Sequence, residues 1–201
     1  MGSQQVFQPL TREDKITTML YRAGIVLSTI IIAGTAYLLV AATSNSVTTG
    51  AGLTADLLLY AFTASVGMSV FFIHLYVGKL KVFLKNLFFL GLGCLAVLLS
   101  MGKGSPAELL AHEPYSSLLL LPLAGCLGFV TAKEAFCFQL FEGYLLAILM
   151  PLYLLMVSSS ALTGAGLAYG LVLIAVLLVI FTVRKVSMPL AYDIGDKSAY
   201  R

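Results

Sequence analysis

Residues 164–185 read GAGLAYGLVLIAVLLVIFTVRK, an uncharged run of 20 residues that ends on Arg184 and Lys185. A helix rising 1.5 Å per residue over that length covers the ~30 Å hydrocarbon core of a bilayer. The two cations stop the run where hydrocarbon gives way to headgroups, and Pro189 follows a few residues on. The stretch therefore predicts a membrane-crossing helix over about 164–183.

Working outward, five more apolar runs have the same character, at about 21–43, 54–77, 82–101, 114–131 and 134–158. Lipid offers the backbone no hydrogen bonds, so each must be helical. The expected fold is an all-α membrane protein of six transmembrane helices in a single polytopic domain, with tails at 1–20 and 184–201. Threading the six runs through a bilayer places Arg12, Lys15, Arg22, Lys79, Lys81, Lys85, Lys133, Arg184, Lys185, Lys197 and Arg201 on one side. Only Lys103 falls on the other. Cytoplasmic loops retain Lys and Arg, so both termini are expected to be cytoplasmic.

Composition agrees. The chain has 201 residues, 60% hydrophobic and 10% charged, with a mean hydropathy of +0.99; a soluble domain carries about 25% charged residues. The connections are too short for an independent soluble core, which argues against a nucleotide-driven pump acting alone. The net charge of +3 gathers at one interface. That suits anionic lipid headgroups and not nucleic acid. Cys94, Cys126 and Cys137 are odd in number and lie in or beside apolar runs, so they read as free thiols. The first run exceeds the ~7–15 residues of a signal-peptide core and reads as a retained span.

Gly166 with Gly170, and Ala124 with Gly128, set small residues four apart, and such spacing lets helix backbones approach closely. Ordinary packing within the chain is the commoner cause. The pentapeptide Thr-Gly-Ala-Gly-Leu occurs at 49–53 and again at 163–167, each time before a returning span. An inverted repeat would pair the second span with the fifth, so two similar turns explain the match better.

Ionisable residues inside a membrane are costly, so each is a candidate for function. Glu142 stands out. On one continuous helix over 134–158 it lies eight residues beyond Glu134, about 12 Å deeper. Pro151 is expected to bend that helix, and Lys85 is the expected counter-ion. His74, at the end of the second span, could ligate haem or chlorophyll, titrate, or hydrogen-bond a neighbouring carbonyl. His112 falls on the opposite side, so a pair of histidines on one haem is not expected. Asp193 and Asp196 could join Glu134 around a hard cation, although Asp-Ile-Gly-Asp also reads as a turn. Lys133 sits one helical turn from Cys137, but neither a base nor an oxyanion site accompanies that thiol. The candidate polar cluster is His74, Lys85, Lys133, Glu134, Cys137, Glu142, Asp193 and Asp196. No metal-binding motif and no catalytic constellation is expected, and the sequence specifies no cofactor.

Phe72-Ile73-His74-Leu75-Tyr76, Lys133-Glu134-Ala135-Phe136-Cys137-Phe138 and Tyr192-Asp193-Ile194-Gly195-Asp196-Lys197-Ser198, with Tyr21-Arg22-Ala23-Gly24, carry a resemblance. Together they resemble an uncharacterised family of integral membrane proteins of cyanobacteria and plant plastids. The resemblance implies a bacterial inner membrane or a cyanobacterial or plastid membrane, and transfers no activity. The chain departs from the expected pattern at Gln139-Leu140-Phe141-Glu142, where an Arg would precede the Glu; on that reading Glu142 lacks a basic partner there.

The leading expectation is a non-enzymatic accessory or assembly factor that binds a membrane protein, lipid or pigment. A small-solute or ion transporter built on Glu142 is the alternative, and a membrane redox or pigment protein the third. Membrane lipid, another membrane protein and a second copy of the chain are the expected partners; nucleic acid is not.

Overall fold

The computed structural model describes residues 11–43, 51–75, 77–102 and 105–194. Those residues form α1 (Arg12–Thr43), α2 (Ala51–Phe72), α3 (Gly78–Met101), the short α4 (Pro106–His112), a 3-10 segment (Pro114–Leu120) running into α5 (Leu121–Phe138), α6 (Phe141–Ser158), α7 (Ala165–Val186) and the single turn α8 (Ala191–Ile194). Six of these units are long and apolar enough to cross a membrane, the fourth being the 3-10 segment together with α5. The chain is an all-helical, multi-pass membrane protein, and no strand occurs among the described residues.

α1 begins earlier than the apolar run that defines it. Thr11 and Asp14 form a reciprocal cap: Thr11 N donates to Asp14 Oδ2 at 2.9 Å, and Asp14 N donates to Thr11 Oγ1 at 3.2 Å. This satisfies two otherwise orphaned donors at the helix start. The helix of 32 residues is ~48 Å long. It therefore carries about three polar turns outside the hydrocarbon before the lipid-facing part begins.

The helices pack around a core that includes Ile25, Val66, Leu84, Leu127, Val130, Leu146, Leu178 and Phe181. α1 lies between α2 and α7, while α5 packs on α6 and α3. Close approach is set by glycine at two crossings. A Cβ at Gly24 would lie 2.4 Å from Ser69 Oγ, so α1 and α2 meet backbone to backbone there. A Cβ at Gly143 would lie 2.5 Å from the Thr131 carbonyl oxygen, which does the same for α5 and α6. The small-residue pairs serve packing within the chain: Gly128 faces Ala147, and Gly170 faces Tyr153.

The boundary between the fourth and fifth spans also differs from the expected one. The break between the fourth and fifth spans lies at Gln139 and Leu140, not near residue 132. Gln139 adopts a left-handed backbone with φ 55°, which ends α5, and the following Leu140 is fully buried. Lys133, Glu134 and Cys137 thus belong to the last turns of the fourth span instead of opening the fifth. Glu142 is in the first turn of α6 and is not a deeper residue of Glu134's helix. The cause is physical: polar side chains within α5 find partners, so their polarity does not end the helix. Pro151 lies inside α6, which runs unbroken over Phe141–Ser158.

Candidate functional site

The two ends of the bundle differ in kind. At the end where α1 and α3 begin, six side chains from four helices form a buried polar cluster. Glu134, fully buried on α5, is its centre. Tyr21 OH donates to Glu134 Oε1 at 2.6 Å, and Lys133 Nζ donates to the same oxygen at 2.7 Å. The other carboxylate oxygen faces Lys185 Nζ, which also pairs with Asp193. Asp193 accepts in turn from Arg22 Nε at 2.7 Å. Three cations and two carboxylates thus share a largely enclosed volume, with Lys133 at its partly exposed edge and Lys185 4.0 Å from the centre of the Phe138 ring.

Burial of charge is costly unless each group is paired. Here the chain after α7 turns back to supply the pairing. Arg22 Nη1 donates to the carbonyls of Met188 at 2.7 Å and Val186 at 3.2 Å, and Nη2 donates to Pro189 at 3.1 Å. The segment from Val186 to Asp193 is therefore wrapped around one guanidinium. Its planar fork of five donors suits that task, where a lysine could offer only three.

Of the eight expected site residues, Lys133, Glu134 and Asp193 join this cluster. Asp196 lies outside the described residues. Cys137 is exposed and remains a free thiol. Lys85 lies 5.5 Å over the Phe71 ring and is not the partner of Glu142. That role belongs to Arg184, whose Nη1 lies 2.7 and 2.8 Å from the two carboxylate oxygens. Lys85 fails because it packs on Phe71 of α2, whereas Glu142 opens α6, which packs against α7. The absence of an Arg just before Glu142 is thus met from another helix.

His74 stands in the connection after α2, with its Nε2 3.3 Å from Thr17 Oγ1 and 3.4 Å from Thr18 Oγ1. Partial burial lowers its pKa below the ordinary histidine value, and the charges of Lys133 and Lys81 act in the same direction. A neutral imidazole that shares hydrogen bonds with two hydroxyls is the arrangement at neutral pH. No group of three His, Cys, Asp or Glu side chains that could hold a metal ion occurs among the described residues.

Tyr21, Arg22 and Lys185 are the cluster members not singled out as site residues. Tyr21 and Arg22 carried a signal in the Tyr-Arg-Ala-Gly string, and Lys185 stood in plain view as the stop of the last span.

The opposite end holds a cavity of about 600 Å³ between the later half of α1 and parts of α2, α4, the 3-10 segment, α6 and α7. Such a volume is in the range of small-molecule sites, about 300–1,000 Å³. Ile32, Leu59, Phe62, Met150, Leu171 and Ile174 supply apolar wall. Three hydroxyls in the lining already donate to backbone carbonyls: Thr35 to Ile31 at 2.8 Å, Ser117 to Leu154 at 3.2 Å and Tyr153 to Leu167 at 3.0 Å. Glu108 and His112 of α4 complete the lining on the outer side. Glu142 and Lys85 take no part in it.

No curated protein and no solved structure matches the chain. A family model described as "Uncharacterized integral membrane protein (DUF2301)" matches residues 68–201. The match takes in Lys133, Glu134, Glu142, Arg184, Lys185 and Asp193, together with the helices that carry them. The chain therefore belongs to the DUF2301 family of uncharacterized integral membrane proteins.

Proposed function

We propose that this protein is a non-catalytic membrane binding protein that holds an apolar small molecule, a lipid or pigment, and serves as an accessory factor to other membrane components. The observation that carries the reading is the cavity of about 600 Å³, whose walls are apolar and whose lining hydroxyls are already satisfied. Such a surface gains from removing hydrocarbon from water or from loosely packed lipid, and has little with which to coordinate a hydrated ion.

The transport reading required Glu142 to meet a water-filled path. Glu142 is paired with Arg184 and lies apart from the cavity, which weighs against that role. The buried cluster supports a closed end: α1, α5, α7 and α8 are cross-linked by charge below the cavity. The skew of Lys and Arg supports placing that closed end, with both chain termini, in the cytoplasm or stroma. The Lys-Glu-Ala-Phe-Cys-Phe and Asp-Ile-Gly-Asp-Lys-Ser strings support a cyanobacterial or plastid setting.

Purification of the full chain in mild detergent, followed by solvent extraction, mass spectrometry and a visible absorption spectrum, tests the reading. A stoichiometric apolar molecule is expected, and Met150→Trp, which fills the cavity, is expected to lose it. A preparation that carries no such molecule, yet moves solute in proteoliposomes, would reverse the assignment in favour of transport.

A further inference from the structure

Resting on that reading of the cavity, we propose that the site is a socket one leaflet deep, which takes an acyl chain of a membrane lipid and leaves the lipid's headgroup outside, at the rim beside α4.

The lining sets the depth. It runs from Ala55 to Phe62 on α2, from Val157 to Met150 on α6 and from Leu167 to Ile174 on α7, seven residues in each case. Seven residues of helix rise about 10 Å. Phe62, Met150 and Ile174 stand at the middle of their helices, so the floor lies at mid-membrane. One leaflet supplies about 15 Å of hydrocarbon, half of the core. The socket therefore accommodates most of one chain and ends there.

The floor is closed on every side. One turn deeper, Val66, Leu127, Leu146 and Leu178 are all sealed from solvent. Ser28 and Ser65, 2.8 Å apart and both buried, join α1 to α2 at the same level. The walls close too: α1 packs on α2, α2 on α4, α4 on the 3-10 segment, that segment on α6, α6 on α7 and α7 on α1. Exposure rises from Met150 and Ile174, which are buried, to Ala111 and His112, which are exposed. The mouth is thus at the α4 rim. Asp56, itself buried on α2, fixes α4 there by accepting from Ala107 N at 2.8 Å and from Ser105 Oγ at 2.9 Å.

These limits choose the guest. Water would find few partners, because the hydroxyls of Thr35, Ser117 and Tyr153 already donate to backbone carbonyls. Left empty, the volume forfeits dispersion contacts along all its walls. A rigid rod long enough to cross the bilayer is stopped by the floor. A lipid chain matches the depth, keeps its head in the headgroup layer and surrounds the protein at high concentration.

The test reconstitutes the full chain in phosphatidylcholine vesicles with a trace of phosphatidylcholine that carries a diazirine at one chain end. Mass spectrometry locates the adducts after photolysis. Ile148, 64% exposed on α6 near the depth of the floor, reports ordinary contact with lipid. Adducts are expected at Phe62 and Ile174 as well as at Ile148. Met150→Trp and, as a second filling variant, Leu171→Trp are expected to lower the first two about tenfold and leave the third unchanged. A diazirine placed beside the headgroup is expected to label α4 instead of the floor. Chain-end adducts confined to Ile148, on a protein that still copurifies with an apolar molecule, would overturn the lipid assignment while the cavity reading stands. Floor labelling by the headgroup probe would likewise overturn the tail-first orientation alone. Floor adducts that survive both filling variants, or the absence of both floor adducts and a copurifying molecule, would overturn the cavity reading as well.

Discussion

Lys185 and Asp193, eight residues apart, form an ion pair that is closed to solvent, with the carboxylate bridging onward to Arg22 of the first helix. The bridge from Asp193 to Arg22 ties α8 to α1. Arg22 and Lys185 share this carboxylate, so its loss removes one ion-pair partner from each of two buried cations and leaves Lys185 with Glu134 and Arg22 with backbone carbonyls.

Asp193→Asn is therefore expected to destabilise the protein by about 3–5 kcal/mol, the cost of leaving buried charge unpaired. Thermal unfolding in detergent measures this. Adding Lys185→Met to Asp193→Asn restores the original balance of charge in the cluster, and should recover a substantial part of the loss. Additive losses in the double variant would show that the two residues act independently.

Glu134 and Glu142 have contrasting expectations although both are paired. Glu134 and Lys185 are fully buried, whereas the Arg184 side chain that meets Glu142 is 51% exposed. Glu134→Gln should cost about 3–5 kcal/mol, and Glu142→Gln no more than about 1 kcal/mol because solvent screens its partner. Comparing the two unfolding midpoints checks the order.

His74 predicts a pH dependence with a definite sign. Its folded pKa is lowered by burial and by neighbouring lysines, below an unfolded value of about 6.5. Between those two values the unfolded chain binds the extra proton, so stability rises with pH there. The contribution is complete above about pH 6.5 and is lost as pH falls through the folded pKa. Melting temperatures from about pH 7.5 to about pH 5 should decline less steeply in His74→Gln than in the parent chain.

Glycine at the α1–α2 crossing is a packing requirement. Gly24→Ala places a methyl 2.4 Å from Ser69 Oγ and should cost about 1–3 kcal/mol through overpacking. Gly34→Ala, ten residues along the same helix, meets nothing within 4 Å and should be neutral or slightly stabilising. Retention of fold on gel filtration, with a melting curve for each, distinguishes them.

The six helices were legible because hydropathy alone reports whether a segment can cross lipid, and each run was long enough to decide. The break at Gln139 was not. Residues 130–142 contain neither Gly nor Pro, and a left-handed Gln leaves no mark in a hydropathy pattern. Lys133 and Glu134 looked like the opening of the fifth span because charge is usually outside a helix bundle; here each is answered by a partner on another element.

The cluster was half legible for a related reason. Arg184 and Lys185 are adjacent, so a helix points them about 100° apart. One reaches outward to Glu142 and the other inward to Glu134 and Asp193. The sequence displays both cations without the face each occupies. The partner of Arg22 lies 171 residues away, a separation that no local pattern spans. The cavity is harder still, since it is the space left between helices and belongs to no single one of them.

Density from the protein purified out of its native membrane in mild detergent tests the account most directly. An elongated feature running from Glu108 and His112 toward Met150, within the volume bounded by α1, α2, α4, α6 and α7, is the predicted result. A cavity filled by ordered water, or closed by inward movement of α4 with no bound molecule, would contradict it.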